Sequence, residues 1–444
     1  MSRAELAAAA TLEAPASSAG PAVPHVVAWN LTRRCNLACA HCYIAAGDWH
    51  SAAGELTTVE VKRITDEILS VNPAPVFILS GGEPLLRNDL EAIAEHATRG
   101  GATVVVGTNG TRLTQERIAS LKAAGVRGVA ISVDSLDARY HDRFRHGSGA
   151  LTDTIGAVDR LAAYGLDFIV QTTVTRGNRA ELPAIAAWAA ERGAVAFNVY
   201  FLVETGRAAS MPGMTPEENE EVLAELVALE GQYRGRMMIR SKCQPQIMRH
   251  VLAGAGDSPM RNYATRCPCG VQYCRITPEG KLTPCPYLPV PAGDLRVQSF
   301  QEVWRDSPVL QLLRAGAPAG KCGRCEYRQV CGGCRARAYA ASGELLGEDA
   351  SCAYEPTGDV AVVAAPVAVR YGDAARSDMA WDADAEARMQ RVPSFVRGVV
   401  MARIEAYARA HGHDRVGVEL IDEVRRSMPV DFTKRRPFFL GGER

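Results

Sequence analysis

The chain has 444 residues, with 50 Lys plus Arg against 50 Asp plus Glu. That length suits two or three domains and a sizeable core. Zero net charge gives no electrostatic reason to expect a nucleic-acid partner or a membrane surface, and no apolar run reaches the roughly 18–20 residues that cross a bilayer.

Residues 1–24 are rich in Ala, Pro and Ser, with Glu5 and Glu13 interrupting the apolar stretch. They are expected to be a flexible tail rather than a secretory signal. Thirteen cysteines without such a signal point to metal ligation in a reducing cytoplasm rather than to disulfides.

From Val26 to about Leu202 the pattern alternates between strand and helix. Strand-like runs cover Val26–Leu31, Val76–Leu79, Thr103–Gly107, Gly128–Val133, Phe168–Val174 and Val195–Phe201. Helical stretches lie between them at Thr58–Val71, Leu90–Arg99, Gln115–Ala124, Leu151–Tyr164 and Arg179–Arg192. Gly125, Gly165 and Gly193 fit helix C-terminal positions. Six such units imply an α/β fold with a parallel sheet, either doubly wound or a partial barrel. Sites in such sheets gather at the C-terminal ends of strands.

The first such end carries Cys35, Cys39 and Cys42 in the run Cys35-Asn36-Leu37-Ala38-Cys39-Ala40-His41-Cys42-Tyr43. Three thiolates, rather than the four of a structural zinc site, would leave one iron of a cubane cluster open. The second strand leads into Ser80-Gly81-Gly82-Glu83-Pro84, where two glycines allow a close backbone approach and Glu83 offers a carboxylate to an ammonium group. Thr108-Asn109-Gly110 after the third strand reads as a turn. The fourth ends in Ile131-Ser132-Val133-Asp134-Ser135, followed by His141-Asp142-Arg143-Phe144-Arg145.

These motifs resemble the radical S-adenosylmethionine (radical SAM) superfamily. The resemblance implies a partial six-stranded (β/α) barrel whose open iron is chelated by the methionine moiety of S-adenosylmethionine. It implies cofactor contacts from Tyr43 (adenine), Gly81, Gly82 and Glu83 (amino group), Ser132 and Asp134 (ribose) and Arg145 (carboxylate). His141 reads as a capping or turn residue. The stretch Leu202-Val203-Glu204-Thr205-Gly206-Arg207 is similar to radical SAM enzymes of haem and haem d1 biosynthesis.

Ten further cysteines fall between 243 and 352. Cys322-x2-Cys325-x5-Cys331-x2-Cys334 followed by Cys352, together with Cys269-x10-Gly280-x4-Cys285, resembles the SPASM extension, a domain with two auxiliary 4Fe–4S clusters. The resemblance implies one cluster on Cys322, Cys325, Cys331 and Cys352, and another on Cys285, Cys334 and two upstream thiols. Cys243, Cys267, Cys269 and Cys274 all qualify upstream, and Cys267 and Cys274 are the expected pair. Thiolate spacing suits zinc as well as iron.

Residues 379–428 are expected to form a small helical domain after a linker at 356–378, with a tail at 429–444. Trp381, Ala385, Glu386, Pro393, Phe395, Arg397, Gly398, Ile404 and Ala408 resemble a small C-terminal domain of light-independent protochlorophyllide reductase, which there accompanies a tetrapyrrole substrate. The barrel is expected over 25–235 and the auxiliary-cluster domain over 236–355.

The resulting expectation is a cytoplasmic radical SAM oxidoreductase. It would use one SAM-binding and two auxiliary 4Fe–4S clusters and a flavodoxin- or ferredoxin-type electron donor. Its substrate would be a small molecule, best a tetrapyrrole intermediate losing propionate carboxyl groups or side chains. The alternatives are maturation of a ribosomal peptide and a non-catalytic iron–sulfur or zinc scaffold.

Overall fold

The computed structural model describes residues 22–427, apart from 255–257, 264–265, 359–360, 365–368 and 374–376. The expected tail at 429–444, and all but the last three residues of the tail at 1–24, lie outside the described residues.

Seven parallel strands follow one another in space as in sequence: β1 (Val26–Asn30), β2 (Val76–Ser80), β3 (Thr103–Thr108), β4 (Gly128–Ser132), β5 (Asp167–Val174), β6 (Ala196–Phe201) and β7 (Met238–Lys242). On the other side of β1 stand β8 (Tyr273–Ile276), parallel to it, and the antiparallel β9 (Lys281–Thr283) and β10 (Gly293–Asp294). The sheet therefore continues past residue 235, and the cysteine-rich region grows from its edge.

Period-two alternation explains both faces of this sheet. In β6, Phe197, Val199 and Phe201 point outward into the main core beneath the helices. Ala196 points inward, so Asn198 and Tyr200 share its face. The same parity puts Val76, Val105, Ala130, Ile169, Ala196 and Met238 into one small apolar cluster that floors the lumen. Above that floor, towards the strands' C-terminal ends, the inward positions turn polar: Asn30, Ser80, Ser132, Gln171, Asn198 and Tyr200.

The covering helices start where local chemistry allows. Thr57 caps the helix Thr58–Val71, and Glu60 reaches back to the Thr57 backbone in a capping box. Thr215 and Glu218 do the same for Pro216–Tyr233, a helix outside the alternation expected from the sequence. Gly125, Gly165 and Gly193 all take positive φ just past helix ends.

The C-terminal unit comprises Ala383–Gln390, Ser394–Ala410 and Val418–Ser427, with a two-stranded parallel ribbon of Ala380–Trp381 and Arg415–Val416. It docks at the N-terminal end of the barrel strands. Ser394 N donates to Ala74 O (2.9 Å) just before β2, and its hydroxyl lies 2.7 Å from His25 Nδ1 just before β1. The segment expected as a linker is held at both sides: Tyr371 N donates to Asn262 O of the body and Gly372 N to Phe395 O of the C-terminal unit.

Candidate active site

The loop bearing Cys35, Cys39 and Cys42 leaves the C-terminal end of β1 and is held from three sides. From the β2 side, Gly82 N donates to Thr32 O (2.8 Å) and Glu83 N to Arg34 O (2.9 Å). A Cβ on Gly81 would sit 2.5 Å from Thr32 O and one on Gly82 2.2 Å from Arg34 O. These glycines thus admit the cysteine loop's own backbone. From the helix Ala138–Arg145, the carbonyls of Phe144 and Arg145 accept Ala40 N and Ala38 N. From beyond β6, Arg207 Nε donates to Cys39 O (2.8 Å), Arg207 Nη1 to Ala46 O (2.7 Å) and Arg207 N to Cys42 O (3.0 Å). Gly206 turns at φ +60°, where a Cβ would meet Cys42 O and Tyr43 O at 2.5 Å. The Thr205-Gly206-Arg207 motif is therefore a clamp on this loop.

All thirteen cysteines are free thiols. Burial pushes Cys35 up to about 12, and the neighbouring Glu83 adds to the shift. Burial raises Cys39 too, against the opposing charges of Arg145 and Arg207. Such thiols stay protonated unless a cationic centre holds them as thiolates, which is what a bound metal cluster does. Asn109 Nδ2 lies 3.9 Å from Cys35 Sγ, and Ala46 N donates to Cys42 Sγ at 3.3 Å. Sulfur donors of this kind suit an iron–sulfur centre. Asn109, read from the sequence only as part of a turn, faces the first thiol.

Glu83 is fully buried and already occupied. Its carboxylate accepts Thr108 Oγ1 (2.8 and 2.9 Å), Asn109 N (2.9 Å) and Leu85 N (3.1 Å), while burial raises its pKa. It ties the glycine turn to the end of β3. Asp134 and Arg145 form a buried pair, Oδ2 to Nη2 at 2.7 Å, and Thr173 N donates to Asp134 Oδ1 at 2.8 Å. Burial would raise Asp134, but Arg145 and then His41 outweigh it and hold the carboxyl below the usual range. Arg145 Nε is buried without a partner among the described residues, an open donor beside the cysteine loop. Ser132 ends β4 on the inner face.

His41 carries no role in the sequence reading. Its ring stacks on Phe144 at 4.6 Å and its Nε2 lies 3.9 Å from Asp134. It thus stands with Asp134 and Arg145, whereas Tyr43 turns the other way. Tyr43 Oη accepts Asn30 Nδ2 (2.7 Å), and its ring lies 5.0 Å from that of Tyr287 and 6.0 Å from Arg275. The aromatic residue between Ala40 and Cys42 was the available signal. Tyr43, expected beside the adenine, stands between the two cysteine regions.

The later cysteines fall into two groups. Cys322, Cys325, Cys331 and Cys352 line one cavity together with Gly332, Gly333 and Tyr354. Cys243, Cys267, Cys269, Cys285 and Cys334 pack in a second cluster with Tyr273 and Tyr287. There Cys267 is held low by the thiols of Cys269 and Cys334, and burial pushes Cys269 up. The structure corrects the expected pairing of Cys267 with Cys274. Cys274 follows Tyr273 in β8 and so points to the opposite face, into the main core, where Arg314 is its charged neighbour. Cys269 stands in its place. Asp349 joins the groups: it accepts Cys334 N (2.7 Å), while its own N–H donates to Cys322 Sγ (3.4 Å).

Among the described residues no helix is long and apolar enough to cross a membrane. The sequence profile of the radical SAM superfamily matches residues 29–189, that of an iron–sulfur cluster-binding domain (SPASM) 267–335, and that of the proto-chlorophyllide reductase 57 kD subunit 381–425. The AdoMet-dependent heme synthase of Methanosarcina barkeri is 40% identical over 343 residues, 75% of this chain and 97% of that one. The mycofactocin maturase MftC of Mycobacterium tuberculosis is 32% identical over 337 residues, 74% of this chain and 83% of that one. Among solved structures, Streptococcus suis SuiB bound to S-adenosylmethionine superposes with a TM-score of 0.62 at 14% identity, over 75% of this chain and 78% of that one. Hexahistidine-tagged anSMEcpe with bound AdoMet does so with 0.57 at 16%, over 73% and 92%. At such identities the structures share the fold. With a barrel that clamps a three-thiol loop, and a relative matched along nearly its whole length, the chain belongs to the radical SAM superfamily and is a radical SAM enzyme dependent on 4Fe–4S clusters and S-adenosylmethionine.

Proposed function

We propose that the enzyme oxidises a carboxylate-bearing tetrapyrrole intermediate of haem formation, removing propionate carboxyl groups or whole side chains. The observation that carries this reading is the 40% identity to an AdoMet-dependent heme synthase across 97% of that protein. The peptide-maturation alternative rests on relatives of lower identity, 32% for the maturase.

In this reading Cys35, Cys39 and Cys42 hold the cluster that binds S-adenosylmethionine. Cys322, Cys325, Cys331 and Cys352 hold one auxiliary cluster, and four of Cys243, Cys267, Cys269, Cys285 and Cys334 the other. When bound, the first cluster supplies one electron that splits S-adenosylmethionine into methionine and a 5′-deoxyadenosyl radical. The chain's residues do the rest by placement. The unpaired Arg145 Nε would receive the methionine carboxylate, and Asp134, Ser132 and the Gly81–Gly82 turn would bound the cofactor. A propionate that gives up a hydrogen atom, then CO2 and one electron, becomes a vinyl group. Tyr43 and Tyr287, with rings 5.0 Å apart, line the space between the first loop and the later thiols, where that electron would leave. A flavodoxin- or ferredoxin-type donor in a reducing cytoplasm would supply the first electron.

The test is turnover. Anaerobically reconstituted enzyme with dithionite, S-adenosylmethionine and iron coproporphyrin III should form 5′-deoxyadenosine and a porphyrin lighter by CO2 plus two hydrogens for each site, read by mass spectrometry. The triple variant Cys35→Ala, Cys39→Ala, Cys42→Ala should form neither. An unchanged porphyrin alongside 5′-deoxyadenosine would overturn the substrate.

A further inference from the structure

The inner face of β7 carries two cations, Arg240 and Lys242, outside the contacts assigned above. Met238, Arg240 and Lys242 alternate along this strand, and Met238 belongs to the apolar floor, so Arg240 and Lys242 rise above it towards the mouth. The register sets Arg240 beside Asn198 and Lys242 beside Tyr200. The Lys242 ammonium has no hydrogen-bond or ion-pair partner among the described residues. Its charged neighbours are Arg240, of the same sign, and Cys243. Asn198 is buried, and its Oδ1 has no partner among the described residues. Facing them is an aromatic wall: Tyr200 stands 6.5 Å from Tyr287, and Tyr287 5.0 Å from Tyr43.

A confined ammonium with no carboxylate to pair it carries an uncompensated desolvation cost. Two adjacent cations, with no carboxylate facing Lys242 among the described residues, make this wall a receptor for an anion brought in from outside. The neighbouring tyrosine rings make it a receptor for an anion carried on a flat apolar body. We infer that Lys242, with Arg240, is a carboxylate anchor that holds one acidic side chain of the tetrapyrrole while Tyr200 and Tyr287 border its ring. The inference rests on the substrate reading above and adds the specificity-determining residues.

Porphyrin binding to the reconstituted full chain tests it, followed by Soret absorbance. The ligands are iron coproporphyrin III, whose propionates are ionised, and iron etioporphyrin, which has none. The proteins are wild type, Lys242→Met and Lys242→Arg, each with its iron content measured. Lys242→Met should bind the coproporphyrin about tenfold more weakly, the scale of one charge-assisted hydrogen bond. Lys242→Arg should stay within about threefold, and etioporphyrin should bind all three alike. Equal coproporphyrin affinity in wild type and Lys242→Met would overturn the anchor and leave the substrate reading standing. So would equal weakening for both porphyrins, or a Lys242→Met protein that loses iron, because Lys242 would then serve the neighbouring thiols. A wild type that binds neither porphyrin would overturn the substrate reading and the anchor with it.

Discussion

Asn109 Nδ2 lies 3.9 Å from Cys35 Sγ while the same amide donates to Asn36 Oδ1 at 3.0 Å. Asn109 Oδ1 accepts the Thr111 backbone and hydroxyl, so the donor edge is fixed towards the sulfur. Hydrogen bonds to cluster sulfurs raise the reduction potential by stabilising the extra negative charge of the reduced state. Replacing Asn109 with Ala should therefore lower the potential of the first cluster. A net hydrogen bond of about 1 kcal/mol corresponds to at most roughly 40 mV for a one-electron couple. An EPR-monitored redox titration reads the shift, and an unchanged potential would show that the contact does not tune the cluster.

The clamp at Gly206 makes a sharper demand. Its φ of +60° and the 2.5 Å approach to the Cys42 and Tyr43 carbonyls leave no room for a Cβ. The left-handed conformation alone costs an L-residue about 1–2 kcal/mol, and the collision must move the loop. Gly206→Ala should lose the first cluster selectively, with iron falling from about twelve to about eight per chain if three cubanes are present. 5′-Deoxyadenosine formation should fall with it. Iron near twelve with full activity would show that the loop tolerates the shift.

Much of this site was visible in the order of residues, because the strands alternate cleanly and each motif sits at a strand end. Phe197, Val199 and Phe201 against Asn198 and Tyr200 already state which face is core and which is lumen. What the order of residues hid was direction. Glu83 could equally meet a ligand or its own chain, and only the arrival of Thr108 and Asn109 decides. The choice between Cys269 and Cys274 needed the start of β8, since one step along a strand reverses the side chain. Arg207 stands in the sequence only as the end of the Leu202–Arg207 stretch, and its grip on the cysteine loop shows once the loop folds against it. The tetrapyrrole hint from residues 379–428 also changes in weight: the described residues of that unit dock at the N-terminal end of the barrel rather than in the lumen.

The cysteine assignment separates by iron counting. Cys269→Ala removes a thiol from the second group and should cost about four irons. Cys274→Ala should keep all the iron and lose only packing, on the order of 1–2 kcal/mol for a small buried side chain. Thermal unfolding should show a modest drop for Cys274→Ala at full iron content and a larger one for Cys269→Ala, whose lost cluster takes its binding free energy with it. Loss of iron from Cys274→Ala would restore the pairing expected from the sequence.

The attachment of the C-terminal unit should weaken in acid. His25 is 7% exposed, with Nδ1 2.7 Å from Ser394 Oγ and Nε2 3.0 Å from Gly372 O. Burial, and then the Arg397 charge, pull it from 6.5 down to about 4, against the Gly372 carbonyl and Asp373, which favour the charged form. The docked state thus prefers the neutral ring. The stability this gives is complete above pH 6.5, the value for the freed side chain, and is lost as the pH falls towards 4. Across that window the cost reaches about 3 kcal/mol, at 1.36 kcal/mol per pH unit. Hydrogen exchange in Ser394–Ala410 should accelerate between pH 6.5 and 4 relative to the barrel core, after correction for intrinsic rates. His25→Gln, which cannot be protonated, should remove that dependence. If exchange in the helix and in the barrel changes in parallel, His25 does not govern the docking.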